Sequence, residues 1–173
     1  MNRKTSLNIR KLILSGLLIA LGVVCASFYI PIGAAKCFPI QHMVNVIAGV
    51  LLGPVYSILI AFCISCIRLL TGTGTLLAFP GSMIGAFCCG LIFYRFHKLS
   101  LAYLGELIGT GFLGGLLAFP IATLIMGKEA ALFAYVIPFM ISSIVGATFS
   151  IITLKALTKT KVWQEWFIYL QQS

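Results

Sequence analysis

The chain is poor in acid. Its 173 residues hold three glutamates, no aspartate and two histidines. That leaves little material for acid–base hydrolysis, and no nucleophile–base–acid set is visible. No Gly-x4-Gly-Lys-Ser/Thr stretch occurs, so the chain brings no ATP-binding loop of its own. Charge of either sign is scarce: Asp, Glu, Lys and Arg make up 9%, against about a quarter in a soluble domain. So few polar groups could not cover a water-soluble globule of this size. The net charge of +9 is therefore not read as a nucleic-acid surface. In a polytopic membrane protein the basic residues mark the cytoplasmic side.

What fills the chain is apolar: 61% is hydrophobic and the mean hydropathy is +1.12. At about 20 residues per span, the length admits five or six helices with short loops and no extramembrane domain. Apolar runs lie at residues 12–30, 40–52, 55–70, 80–94, 101–126 and 130–157. The second and third are short and are joined by Gly53-Pro54, so hydropathy alone could fuse them. The basic residues decide. With six spans and the N-terminus inside, Arg3, Lys4, Arg10, Lys11, Arg95, Lys98, Lys155, Lys159 and Lys161 are cytoplasmic. Only Lys36, Arg68 and Lys128 then lie at or near the outer face. Five spans would split the twelve evenly. The expectation is an all-α membrane protein, a single transmembrane domain over residues 1–173 with six helices and both termini cytoplasmic. The second run is too short to cross upright and is expected to reach half depth or to borrow from its flanks. The first run is longer than a usual signal core, and Val24 is not the small residue that a lipobox ending at Cys25 would want, so it is expected to stay as a helix.

Under this topology the outer loops carry the complicated segments. They are Pro31 to Pro39, then Thr71-Gly72-Thr73-Gly74-Thr75, and a tight turn near Gly127-Lys128-Glu129. Gln41 and Asn45 stand at i, i+4 on the second helix, and His42 adjoins Asn45 at i+3, so three hydrogen-bonding side chains cluster at the outer mouth. They serve either to knit the loop to the bundle or to contact a ligand. Arg68 ends the third helix, where it either serves function or snorkels to the headgroups. Glu106 is the one acid inside a span. Its depth suggests Arg95 or Lys98 as partner, in a structural pair or as a proton or ligand site. Leu-Leu-Ala-Phe-Pro occurs at 76–80 and again at 116–120. Pro80 can open the fourth helix, whereas Pro120 and Pro138 are expected to kink the fifth and sixth. Prolines at matching depth suggest an outward pocket with Phe79, Phe119 and Tyr135 available to stack on a flat ligand. The 71–75 loop is expected to cover it. Gly16 and Ala20, like Gly22 and Ala26, form small-xxx-small faces for internal packing or a partner. The six cysteines show no convincing zinc spacing and read as small apolar fillers. Three readings follow from the residues: a capture subunit that relies on partners for energy, a small intramembrane enzyme using His42 or Glu106, or a stand-alone facilitator.

Three stretches then carry a resemblance. Lys36-Cys37-Phe38-Pro39-Ile40-Gln41-His42-Met43-Val44-Asn45, with Gly49-Val50-Leu51-Leu52-Gly53-Pro54, resembles the start of ThiW-type proteins. So do Gly72-Thr73-Gly74-Thr75-Leu76-Leu77-Ala78-Phe79-Pro80-Gly81-Ser82-Met83 and Gly105-Glu106-Leu107-Ile108-Gly109-Thr110-Gly111. These are substrate-specific (S) components of energy-coupling factor (ECF) transporters, assigned to the thiazole precursor of thiamine. The resemblance covers about residues 8–158. It implies six helices, cytoplasmic termini, a bacterial plasma-membrane location and a vitamin pocket near the outer face. It also implies partners, a transmembrane coupling subunit and a pair of cytoplasmic ATPases that use the ATP, with no cofactor on this chain. The coupling subunit would dock on an Ala-xxx-Ala-like face of helix one, for which Gly16 and Ala20 are the nearest match. Hydroxyethylthiazole is small, flat and neutral, with a ring nitrogen that accepts and a hydroxyl that donates and accepts. The residues expected to meet it are Lys36, Gln41, His42, Asn45, Arg68, Thr75, Phe79, Ser82 and Tyr135. A neutral ligand does not need Lys36 or Arg68, which leaves phosphorylated, carboxylated or other heterocyclic ligands open.

Overall fold

A computed structural model describes residues 3–32, 35–161 and 163. Helix α1 (Arg3–Val24) ends in a tight turn, Cys25–Ser27. Strands β1 (Ile30–Ile32) and β2 (Ala35–Cys37) form an antiparallel hairpin, with Pro31 opposite Lys36. Then follow α2 (Pro39–Leu52), α3 (Pro54–Leu70), α4 (Ala78–Phe96), α5 (Leu99–Ile125) and α6 (Val136–Thr158). Four helical stretches, Asn8–Ser27, Ala78–Phe96, Leu99–Ile125 and Val136–Thr158, are long and apolar enough to cross a membrane, and α2 and α3 are shorter. The chain is an all-α membrane protein, and its exterior fits that solvent. Leu12, Leu59, Leu91, Ile108, Leu124 and Phe149 are all exposed, while the interior carries buried serines, Asn45, Arg68 and Glu106.

The second and third apolar runs are two helices. Gly53 takes φ +84, a left-handed value that a side chain would strain, and Pro54 opens α3 at its first position. The chain reverses within one residue, so the start of α2 lies beside the end of α3. α2 is the most enclosed helix. It packs against α3, α4 and α6, and Val44, Val46, Ala48 and Val50 are almost fully buried. Ile60 and Ile64 of α3, Cys89 and Phe93 of α4 and Leu154 of α6 complete this core.

α4 and α5 meet backbone to backbone. A Cβ on Gly109 would lie 2.7 Å from the Gly85 Cα, and one on Gly114 would collide with the Gly81 Cα. Gly81-xxx-Gly85 thus provides the close helix crossing that small residues permit. Around it α5 winds in wide π turns at Leu107–Gly114 and again at Ile121–Ile125.

The two prolines expected to kink their helices stand in different settings. Pro120 lies inside a helix that continues through it, and the hydrogen bonds after it shift to i→i+5, as from the Met126 N–H to the Ile121 carbonyl. Pro138 is not mid-helix: α6 starts at Val136, after the apolar run begins, so Pro138 falls in the first turn where no N–H is required. The segment expected to be a tight turn at Gly127 is correspondingly longer, running to Tyr135 with the Lys128 N–H tied to the Ala122 carbonyl.

Candidate functional site

The hairpin, the 71–77 loop, the 127–135 loop and the first turns of α2, α4 and α6 border a partly open cavity of about 680 Å³. That size lies within the range of small-molecule sites. Its floor and walls include Gln41 and His42 of α2, Ala78, Gly81 and Ser82 of α4, Thr110 of α5, and Pro138, Phe139 and Ser142 of α6. Its rim includes Lys36, Phe38, Thr73, Thr75, Lys128, Glu129 and Tyr135. Two links fasten the hairpin to α6: the Phe38 N–H donates to the Ser142 Oγ at 2.8 Å, and the Cys37 thiol donates to the Pro138 carbonyl at 3.2 Å. Tyr135 and Phe139 stand with ring centroids 6.4 Å apart along one wall. The Lys36 Nζ sits 4.4 Å from the Tyr29 ring centroid.

Behind this lining lie two polar threads. In the first, the Arg68 guanidinium donates through NH1 to the Gln41 Oε1 and through NH2 to the Thr73 carbonyl at 3.2 Å. It also stacks over the Phe38 ring at 3.8 Å. The Gln41 Nε2 donates to the Ser65 Oγ at 3.3 Å, and the Ser65 and Ser82 hydroxyls are 3.1 Å apart. In the second, the Glu106 Oε1 receives the Thr110 hydroxyl at 2.8 Å and the Asn45 Nδ2 at 3.1 Å. The His42 Nδ1 lies 3.1 Å from the same oxygen. Asn45 also donates to the Ser82 carbonyl at 3.1 Å, so the threads meet at Ser82. In an apolar interior such groups require partners.

Of the nine residues expected to meet a ligand, Lys36, Gln41, His42, Thr75, Ser82 and Tyr135 line the cavity. Asn45, Arg68 and Phe79 do not. Asn45 lies one turn deeper on α2, fully buried behind His42. Arg68 is 1% exposed; it neither snorkels nor faces the cavity, because Gln41, Phe38 and Thr73 surround its head. Phe79 is turned about 100° from its neighbour Ala78, which lines the cavity, and packs edge-on against Phe62 of α3 at 5.9 Å. Phe119 also stands outside the lining, and the aromatic wall is built by Tyr135, Phe139 and Phe38.

The partner expected for Glu106 is also corrected. It is 0% exposed and meets His42, Asn45 and Thr110 rather than Arg95 or Lys98. Depth along its own helix located its height but not its neighbours. α2 is only 14 residues, about 21 Å long, and it begins far enough inside the bundle for His42 to reach Glu106. Sequence reasoning passed over Thr110 and Ser142. The Gly81-xxx-Gly85 spacing was the available signal for the close approach that brings Thr110 to the cavity. Gly16 and Ala20 are exposed on α1, with open space over Gly16. Gly22 instead packs on Ile64 of α3 and Ala26 is buried, so this second small-residue pair is the internal one.

A family model described as thiamine-precursor transporter protein (ThiW) matches residues 12–160. No curated protein and no solved structure matches the chain.

Proposed function

The chain belongs to the ThiW family of thiamine-precursor transporters, and we propose that it is the substrate-binding S component of an ECF-type importer. It is a multi-pass membrane protein that handles a small molecule. In this reading it sits in a bacterial plasma membrane with both termini cytoplasmic, captures hydroxyethylthiazole in the cavity at the outer face, and delivers it inward. A coupling subunit and two ATPases supply the energy, and the chain itself catalyses no reaction.

The single observation that carries this reading is the partly open cavity at one end of a bundle that has no ATP-binding motif. Its Tyr135–Phe139 wall suits a flat ring, and the α2 groups at its floor suit a hydroxyl or ring nitrogen. The open face over Gly16 and Ala20 supports a docking role for α1. The cavity volume favours a second reading within the same class, a heterocycle larger than one five-membered ring.

The test joins binding to transport. Purified protein titrated with hydroxyethylthiazole by calorimetry should bind one equivalent without partners, and uptake in cells should need the co-expressed coupling subunit and ATPases. Gly16→Trp should keep ligand affinity and abolish energised uptake. Uptake into liposomes by the chain alone would instead identify a stand-alone facilitator.

A further inference from the structure

We propose that Glu106 is a positioning residue that fixes the tautomer of His42, so that the cavity floor presents a hydrogen-bond acceptor and selects a ligand with a hydroxyl or N–H at its buried end. This rests on reading the cavity as the ligand site.

The argument begins with the oxygen that His42 faces. The Glu106 Oε1 already accepts from the Thr110 hydroxyl and from the Asn45 amide. An oxygen serving two donors is an acceptor toward its third neighbour as well. The His42 Nδ1, 3.1 Å away, therefore carries the proton and donates it. In a neutral imidazole the other nitrogen is then an acceptor. His42 lines the cavity while its Nδ1 is turned to Glu106, and no hydrogen bond to its Nε2 occurs among the described residues. The Nε2 is thus the ring nitrogen available to a ligand.

The surroundings keep the ring in this pose. Asn45 is held at its other N–H by the Ser82 carbonyl, and the single Thr110 hydroxyl proton is shared between Glu106 and the Gly81 carbonyl, 3.0 Å away. α6 presses on the same turn of α2: a Cβ on Gly146 would lie 2.8 Å from the His42 Cβ. Glu106 is 0% exposed and does not line the cavity, which it reaches through His42 and Thr110. A site built to hydrogen-bond one partner rejects the analogue that lacks it, because a buried polar group is left unpaired.

Two measurements test this. The chain has only two histidines, and His97 is exposed at the end of α4, so His97→Gln assigns the ¹⁵N signals of histidine-labelled protein. In the protein without added ligand, the His42 Nε2 should give the pyridine-like shift and Nδ1 the pyrrole-like one. The reverse pattern, or two pyrrole-like nitrogens, overturns the proposal.

The second measurement compares hydroxyethylthiazole with its methyl ether, which accepts but cannot donate. The wild type should prefer the alcohol by about tenfold or more. Glu106→Gln keeps a carbonyl oxygen for Nδ1–H and should retain that ratio. Glu106→Leu removes the acceptor and should bring the ratio near one by weakening the alcohol alone. A Glu106→Leu protein that weakens both ligands equally, or keeps the wild-type ratio, shows a merely structural carboxylate and sinks the proposal. Failure of the wild type to bind either compound counts against the functional reading, and the nitrogen shifts still decide the tautomer.

Discussion

Replacing Gly85 by alanine tests the geometry behind the cavity more directly than changing any residue that lines it. The added Cβ would collide with the Thr110 Oγ1 and lie 2.8 Å from the Glu106 Oε2. Both neighbours are fully buried, and the α4–α5 crossing has no slack, since Gly109 and Gly114 already bring the two backbones together. Either the helices part or Thr110 swings away. Parting the helices is overpacking, which costs about 1–3 kcal/mol. Swinging Thr110 gives up the one hydroxyl proton it shares between the Gly81 carbonyl and Glu106, about 1 kcal/mol net. Either route comes to roughly 1–3 kcal/mol, about 5- to 150-fold in the folded-to-unfolded ratio. Unfolding in mixed lipid–detergent micelles by SDS titration, followed by helical circular dichroism, should show that loss. Gly16→Ala is the control, because its Cβ meets nothing within 4 Å. Equal midpoints for the wild type and Gly85→Ala, or equal losses for both variants, would refute the crossing as described.

Two further outcomes follow from the same contacts. Arg68→Met leaves the Gln41 Oε1 and the Thr73 carbonyl without their donor and removes the stack on Phe38. Ligand affinity should fall about tenfold and protease cleavage within residues 71–75 should speed up. Arg68→Lys should not restore either, since an ammonium lacks the planar fork; wild-type behaviour of Arg68→Met would count against the tether. At the hairpin, burial pushes the Cys37 thiol up from its ordinary value. The folded state therefore keeps its proton to higher pH than the unfolded chain does. Any stability gained from the bond to the Pro138 carbonyl is present while both states are protonated, and it declines as pH rises through the unfolded thiol's range. In a variant whose only cysteine is Cys37, maleimide labelling at pH 8 should be at least about tenfold slower folded than in SDS. Equal rates would mean an open hairpin.

The sequence made some of this site legible because the relevant information was local. Gln41, His42 and Asn45 cluster through helical spacing alone, and Leu52-Gly53-Pro54 announces a corner through the conformational needs of glycine and proline. What it hid depends on rotation and depth between helices. Phe79 and Ala78 are adjacent in the chain, yet one packs on Phe62 and the other faces the cavity. Only the register of α4 against α3 decides which. Arg68 looked like a residue for the membrane surface or the ligand, because nothing in α3 announces that the Gln41 amide and the Phe38 ring will enclose it. Glu106 was matched to the nearest cations by height, whereas its partners sit on two elements whose relative depth hydropathy does not report.

The short second helix ties these observations together. A bilayer core is about 30 Å thick, and the 14 residues of α2 reach only about 21 Å. The hairpin is fastened to α6 through Cys37 and Phe38 and borders the cavity with Lys36 and Phe38. Gln41 and His42, consecutive on α2, lie inside the bundle, where one joins the Arg68 thread and the other the Glu106 thread. Each thread ends in a side chain that lines the cavity, so the polar groups that a membrane interior tolerates only when paired are also the ones that orient its floor.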